Sequence, residues 1–148
     1  MQSTDKRWVL RNLKDTIHLG GEILTTFPET KLLMLQGPLG VGKTSLVKGI
    51  AKRLEIKEPI TSPTFTLAQH YPNGQRPLVH LDLYRLENAF SANELFLQEE
   101  EEGIGIGALI IVEWPERLTI KIEDAVWIEM KYLDNQTRMA QISGASYF

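Results

Sequence analysis

The sequence predicts an α/β protein with a three-layer fold, in which helices cover a mixed, mainly parallel sheet that also contains β-hairpins. The first observation is the stretch LLMLQGPLGVGKTSLVKGI, where an apolar strand, a glycine-rich loop and an amphipathic helix follow one another. The second is two pairs of strand-like runs joined by turn residues. Because 148 residues with a hydrophobic fraction of 43% suffice for one core, we expect residues 1–148 to form a single domain.

Composition limits the class of protein. The chain has no cysteine, which excludes disulfides and thiolate sites and fits a reducing compartment. It shows no signal-peptide core and no run near the roughly 20 apolar residues of a bilayer span. The net charge is −3, whereas a domain that grips nucleic acid unaided usually has a basic surplus. We therefore expect a soluble, cytoplasmic protein that enters no membrane and meets any RNA through partners.

The first three elements follow from apolar spacing. Apolar residues at helical spacing predict an amphipathic helix from Leu13 to Leu24, with Asp15 early in the run. The apolar run 32–36 predicts a short buried strand, and 43–54 predicts a helix with one apolar side. A strand and a helix thus flank the glycine-rich loop.

The middle of the chain predicts a hairpin and a second amphipathic region. In TFTLAQHYPNGQRPLVHLDLYRL, two strand-like runs flank Asn73-Gly74, a pair that supplies the positive φ of a tight turn. Ser91 is the expected N-cap of a helix that ends in Glu99 to Glu102, an acid run expected to be solvated. The glycines at 103, 105 and 107 lack dinucleotide-loop spacing and predict a flexible connector.

Two segments complete the predicted sheet. The apolar run from Ala108 to Glu113 predicts a buried strand that ends at Pro115. The segment AVWIEMKYLDNQTRMAQIS predicts a second hairpin with Asp134-Asn135 at its turn.

Residues 37–44, GPLGVGKT, satisfy the phosphate-loop pattern G-x-x-x-x-G-K-[ST] in full. The glycines let successive backbone N–H groups point at phosphate oxygens, and the following helix adds the positive end of its dipole. Lys43 should reach the β- and γ-phosphates, and the Thr44 hydroxyl should bind Mg²⁺. The pattern predicts a P-loop NTPase-like fold and a nucleotide site formed by Gly37, Pro38, Leu39, Gly40, Val41, Gly42, Lys43, Thr44 and Ser45.

Nucleotide hydrolysis also needs a carboxylate near the metal and a group that orients water. In an α/β sheet, such groups lie at the carboxyl ends of strands beside the loop. Asp82 ends the run LVHLD and Glu113 ends LIIVE, so both are predicted as catalytic and metal-binding residues. Either could hold magnesium through water while the other polarises the attacking water, and the sequence leaves this choice open.

A short segment before the first acid is a candidate phosphate sensor, although its spacing alone favours a simple turn. In TSPTFTL, Pro63 stiffens the chain, while Ser62 and Thr64 supply hydroxyls suited to sensing a γ-phosphate or its magnesium. The same pattern also fits a simple turn that leads into a strand.

Four side chains near the acids are predicted to be structural. Strand alternation places His80 on the face of Asp82, as a partner of another side chain or a packed histidine rather than a metal ligand. Arg85 and Arg117 could neutralise transition-state charge, but surface salt bridges are the favoured interpretation. Trp114 is expected to pack.

With the phosphate loop, SPTFTL, HLDLYRL and VEWPERL in this order, the chain resembles the TsaE (YjeE) family, small bacterial P-loop ATPases of tRNA threonylcarbamoyladenosine biosynthesis. The resemblance covers most of the chain, including DTIHLGGEI, where Asp15 replaces the family's glutamate. The stretch LFLQEEEEGIGIGA departs from the family pattern, so no function is transferred to it.

The resemblance implies roles for individual residues. The family's Walker lysine and threonine fall on Lys43 and Thr44, its switch-like loop on residues 62–65, and its two acids on Asp82 and Glu113. ATP and Mg²⁺ are the implied cofactors. The resemblance implies an adenine pocket that includes the N-terminal segment, where the candidates are Thr16 and Gly20.

The resemblance also implies an activity and partners. The implied activity is a Mg²⁺-dependent ATPase, weak alone and stimulated by partner proteins. The implied partners are a TsaD-like threonylcarbamoyltransferase and a TsaB-like scaffold subunit, which modify the adenosine next to the anticodon. ATP hydrolysis by this chain would support the turnover of that complex. The tRNA would be met through this complex.

Three other functions share a phosphate loop. A small-molecule kinase should offer an acceptor pocket and an arginine-bearing lid, and we locate neither in the sequence. A GTPase should carry Asn-Lys-x-Asp after the loop, whereas the nearest string, NLKD at residues 12–15, is misordered and comes too early. A nucleotide-dependent binding module without turnover stays open, since a sequence cannot show turnover.

Overall fold

A computed structural model describes residues 6–143 and contains one seven-stranded sheet with helices on both faces. The strand order is β1-β7-β6-β2-β5-β4-β3. The elements in chain order are β1 Lys6–Leu10, α1 Leu13–Thr26, β2 Leu32–Gln36, α2 Lys43–Arg53, β3 Ala68–Tyr71, β4 Leu78–Asp82, α3 Ala89–Gly105, β5 Leu109–Glu113, a 3₁₀ turn Pro115–Arg117, β6 Ala125–Tyr132 and β7 Arg138–Ser143.

The sheet is parallel in its middle and antiparallel at both edges. Strands β6, β2, β5 and β4 run parallel, while β1, β7 and β3 add antiparallel pairings outside them. The predicted α/β fold with a mixed sheet is confirmed, with parallel pairing confined to the centre. This places the carboxyl ends of β2, β5 and β4 side by side at one end of the central strands.

Two hydrophobic cores give the molecule three layers. Alternate residues of β2 point to opposite faces, so Leu33 and Leu35 join the core beneath α1 and α2, while Met34 joins the core beneath α3. Helices α1 and α2 approach so closely that a Cβ at Gly49 would lie 2.0 Å from the Ile17 carbonyl oxygen. Glycine is therefore required where these helices cross.

Most predicted elements are confirmed within a few residues. Helix α1 begins after Asn12, whose side chain accepts a hydrogen bond from the Asp15 backbone N–H, and it ends two residues later than expected. The strand at 32–36 has the predicted bounds. In the β6–β7 hairpin, Asp134 accepts hydrogen bonds from the backbone N–H groups of Gln136 and Thr137, which explains the turn.

The first hairpin is confirmed, but its predicted turn is wrong. Neither Asn73 nor Gly74 adopts a positive φ, and the connection spans residues 72–77. Gly74 is needed for a different reason, because a Cβ there would lie 2.7 Å from the Leu54 carbonyl oxygen. The loop packs on the end of α2, where the Gln75 backbone N–H donates to that same oxygen.

Helix α3 differs from the prediction at both ends. Its N-cap is Asn88, whose side chain accepts from the backbone N–H groups of Phe90 and Ser91, so Ser91 lies inside the helix. The predicted flexible connector is also wrong, since the helix continues to Gly105. Gly103 lets α3 pack on Ile110, because a Cβ there would lie 2.9 Å from the Ile110 Cδ1 atom.

The acid run of α3 is only partly solvated. Glu99 is buried, and its Oε1 lies 2.6 Å from His70 Nε2 on β3. The sequence also did not predict β1, a five-residue edge strand paired with β7. Within residues 6–143, no helix combines the length and apolarity needed to cross a membrane.

Candidate functional site

The loop between β2 and α2 has the backbone shape of an anion cradle. Gly37, Gly40 and Gly42 adopt φ values of 153°, 79° and 113°, in the region that favours glycine. Val41 is fully buried and anchors the loop, and its backbone N–H donates to the Pro38 carbonyl at 3.3 Å. The N-terminus of α2 opens directly from Gly42, so its first N–H groups are available to a bound anion.

Lys43 is held across this loop rather than extended into solvent. Its residue is 5% exposed, and its Nζ donates to the Gly37 carbonyl oxygen at 2.5 Å. The Nζ also lies 4.3 Å from the ring centre of Trp114. Burial lowers the pKa of Lys43 below its usual value, and the charges of Glu113 and Asp82 oppose that shift.

The two predicted acids are neighbours at the carboxyl ends of adjacent parallel strands. Asp82 on β4 is in register with Glu113 on β5, and both residues are buried. Asp82 accepts hydrogen bonds from the Tyr84 backbone N–H at 2.9 Å and from the Thr64 hydroxyl at 3.3 Å. Burial raises the pKa of Asp82, the Glu113 charge adds to this, and the hydrogen bonds oppose it.

His80 is the partner of Glu113. The His80 side chain is fully buried, and its Nε2 lies 2.6 Å from Glu113 Oε2. We assign the proton to Nε2, because a contact with a carboxylate oxygen requires a donor. The His80 Nδ1 has no hydrogen-bond partner among residues 6–143. His80 therefore fixes one oxygen of Glu113, in agreement with the prediction of a supporting role.

The segment TSPTFTL is hydrogen-bonded to Asp82. The Ser62 and Thr64 hydroxyls lie 2.7 Å apart, and Thr64 continues the chain of hydrogen bonds to Asp82. Phe65, by contrast, is 82% exposed and lies under the Arg85 guanidinium at 4.7 Å. The segment thus connects the molecular surface to the carboxylate of Asp82.

These groups line one cleft of about 310 Å³. Its walls include most of the predicted site, namely Leu39, Gly40, Gly42, Lys43, Thr44, Ser45, Ser62, Thr64, Asp82 and Glu113, together with Trp114, which was not predicted. Gly37, Pro38 and Val41 shape the loop but do not line the cleft. Thr16 and Gly20, the adenine candidates, are absent from this lining. Both are buried, and Gly20 packs on the backbone of α2, where a Cβ would lie 2.5 Å from the Leu46 carbonyl oxygen.

For three side chains, the structure differs from the role predicted from the sequence. Within the described residues, neither Arg85 nor Arg117 forms the predicted salt bridge. Arg117 instead donates to the Tyr84 carbonyl oxygen at 2.9 Å, close to two aromatic rings. Trp114 does more than pack, since it covers Lys43 from a left-handed backbone conformation with φ 59°. In the sequence, the only sign of this role was the position of Trp114 directly after Glu113.

The residues of the cleft fit a phosphate chain with magnesium. No group of three or more His, Cys, Asp or Glu side chains in residues 6–143 could hold a metal alone. Magnesium, however, usually takes only one or two carboxylates beside phosphate oxygens and water. Thr44, Asp82 and Glu113 meet that requirement beside a loop suited to phosphates.

Comparison with known proteins identifies the same family that the sequence motifs indicate. Residues 10–140 match the family model for threonylcarbamoyl adenosine biosynthesis protein TsaE. A Nostoc sp. protein named tRNA threonylcarbamoyladenosine biosynthesis protein TsaE is 41% identical over 135 residues, covering 90% of this chain and 83% of its own. An Aquifex aeolicus protein of the same name is 36% identical over 139 residues, covering 93% and 95%.

The fold is also similar to that of a solved structure. The crystal structure of Bacillus subtilis YdiB superposes with a TM-score of 0.74 at 26% identity, and the match covers 99% of this chain and 89% of YdiB. The similarity therefore extends over the whole sheet and not only over the phosphate loop.

Proposed function

The chain belongs to the TsaE family, and from this premise we propose that it binds ATP with Mg²⁺ and hydrolyses it. The supporting observation is the cleft in which Lys43, on a phosphate loop, faces the strand-end carboxylates of Asp82 and Glu113. Adenine is preferred to guanine, since the chain has no Asn-Lys-x-Asp string after the loop.

Each group in the cleft has a role in this proposal. The loop N–H groups and the α2 N-terminus bind the phosphates, while Lys43 exchanges its Gly37 contact for β- and γ-phosphate oxygens. Thr44 and Asp82 hold Mg²⁺, which when bound neutralises charge on the phosphates. Glu113 orients the attacking water, because His80 holds one of its oxygens and leaves the other available.

We further propose that this chain acts in tRNA threonylcarbamoyladenosine biosynthesis with a TsaD-like transferase and a TsaB-like scaffold subunit, and meets tRNA through them. Family membership is the main support. The rim of the cleft adds to it, because Leu39 is 62% exposed and Phe65 is 82% exposed beside the site. Exposed apolar side chains at a cleft mouth are typical of surfaces that a partner covers.

The test is ATP turnover by the purified protein, first alone and then with the two partner subunits and tRNA. We expect weak turnover alone and a rise with partners. Lys43→Ala should lose at least about 10²–10³-fold, the usual effect of removing one donor that stabilises developing negative charge. Lys48→Ala removes an exposed lysine of the same helix and should leave turnover unchanged. ATP binding without turnover under every condition would instead identify a binding module.

A further inference from the structure

Helix α3 presents a line of large apolar side chains to solvent. Phe90, Leu97 and Ile104 are 68%, 48% and 43% exposed, and seven residues separate each from the next. At about 1.5 Å per residue the line is roughly 21 Å long. We call these three residues the α3 stripe.

The stripe is distinct from the face that α3 uses to fold. Ala92, Phe96 and Gly103 are buried against the sheet. With about 100° between successive residues, the stripe points roughly 130° away from that buried face. A repeat of seven residues keeps these three side chains nearly aligned, with a drift of about 20° per heptad, so a partner helix could lie along them.

The stripe has acidic flanks. Helix α3 contains five glutamates and no lysine or arginine. By helical geometry, Glu94 and Glu101 lie along one side of the stripe and Glu100 along the other. A helix with an apolar seam and glutamates beside it is complementary to one with an apolar seam and lysines or arginines beside it.

The stripe continues into a cleft at the amino ends of the central strands. This cleft has a volume of about 620 Å³, and Glu100 and Ile104 belong to both its lining and α3. Phe27, Leu32 and Val126 form its apolar part. Its other charged lining residues are the acids Glu29, Glu123 and Asp124 and a single cation, Lys31. The acidic and apolar character of the stripe therefore extends beyond the helix.

We propose that the α3 stripe and this cleft form a docking surface for a basic amphipathic helix of another protein. A second copy of this chain is disfavoured, because pairing two α3 helices along the stripe would oppose the three flanking glutamates of one copy with the same three of the other. A membrane is disfavoured because amphipathic membrane helices are rich in lysine and arginine, and RNA because its phosphates repel glutamates. The cleft and the Ile104 end of the stripe lie at the amino ends of the central strands, opposite the phosphate loop, so binding there can be tested without nucleotide.

The test uses two labelled peptides of about 21 residues, the length of three heptads. Both carry leucine at the seam positions, and the flanking positions are lysine in one and glutamate in the other. We expect the lysine peptide to bind at least about tenfold more tightly in fluorescence anisotropy, a difference of about 1.4 kcal/mol. That preference should shrink at about 1 M salt, where charges are screened.

Substitutions on α3 test whether the lysine peptide binds at the stripe. Leu97→Ser combined with Ile104→Ser should weaken binding of the lysine peptide about tenfold or more, while ATP affinity stays unchanged. Leu133→Ser is the matched control, since Leu133 is 51% exposed on the β6–β7 hairpin. Because all three residues are exposed, these variants should fold.

Three results would overturn the proposal. The first is equal affinity for the two peptides, and the second is unchanged binding by the stripe variant. The third is a dimer of the free protein in sedimentation that the stripe variant dissociates, which would assign the surface to a second copy. None of these results bears on the proposed ATPase, which the Lys43→Ala comparison tests separately.

Discussion

At the scale of single residues, Glu113 is the side chain whose surroundings are most specialised. It is 3% exposed, ends a fully buried strand and has one oxygen held by His80. Its neighbour Asp82 is bonded instead to Thr64 and to backbone. The two carboxylates therefore have different partners, which suits different roles in one reaction.

Replacing Glu113 with Gln should separate ATP binding from ATP hydrolysis. We expect phosphate release to fall by about 10²–10⁴-fold, the usual contribution of a positioned base, while the affinity for a fluorescent ATP analogue stays nearly constant. Glu87→Gln, at an exposed acid outside the cleft, should leave both quantities unchanged. Full turnover by Glu113→Gln would remove Glu113 from the mechanism.

Some residues of the candidate site could be identified from local sequence, whereas others depend on the three-dimensional fold. Lys43, Asp82 and Glu113 could be predicted because a local motif and the ends of apolar strands identify them. The His80–Glu113 contact could not, because it depends on which strand pairs with which and in what register. The position of Trp114 over Lys43 depends on a left-handed backbone conformation that its sequence context does not require.

At the scale of elements, the crossing of α1 and α2 requires glycine at a specific place. Gly49→Ala should lower the free energy of unfolding by about 3 kcal/mol, the upper part of the usual overpacking range, because the new Cβ would meet the Ile17 backbone. Gly21→Ala is the matched control, since its Cβ would have no neighbour closer than 3.9 Å. That change should stabilise α1 by about 0.5–1 kcal/mol. Similar values for the two variants in urea denaturation would contradict this account.

The turn of the β6–β7 hairpin should make stability depend on pH. Hydrogen bonds from the backbone N–H groups of Gln136 and Thr137 lower the pKa of Asp134. Since the folded-state pKa lies below the unfolded one, the charged carboxylate stabilises the fold above its usual value of 3.8, and this contribution is lost as pH falls through the folded-state pKa. Asp134→Asn should therefore be less stable than wild type at neutral pH and equal to it in strong acid. Parallel stability curves for the two proteins would exclude this effect.

The existence of an element was predictable where apolar periodicity was strong, whereas some helix ends were not. The ends of α3 illustrate this, because Asn88 and Ser91 are both good N-caps and the structure uses the former. The glycines at its end join the helix because Gly103 fits against Ile110. Strand β1 exists through its pairing with β7, a contact that five residues of local sequence cannot indicate.

At the scale of the whole molecule, the sheet order brings distant segments to one edge. Gln36 ends β2, Glu113 ends β5 and Asp82 ends β4, and these strands are adjacent and parallel. The phosphate loop and both acids therefore meet although dozens of residues separate them in the chain. The α3 stripe belongs to the other layer, so the proposed nucleotide site and the proposed docking surface are separate.

This separation predicts how ligands should change thermal stability. A non-hydrolysable ATP analogue with Mg²⁺, at about 100 times its Kd, should stabilise the fold by about 2.7 kcal/mol, which raises Tm by about 2–4 °C per kcal/mol. AMP should stabilise much less, because it lacks the β- and γ-phosphates that the loop and Lys43 bind. Lys43→Ala should lose the shift, whereas the Leu97→Ser and Ile104→Ser double variant should retain it, since its substitutions lie on α3. Equal shifts in Tm with AMP and with the ATP analogue would mean that the phosphate loop does not dominate binding. Loss of the Tm shift in the α3 variant would mean that the two surfaces are coupled.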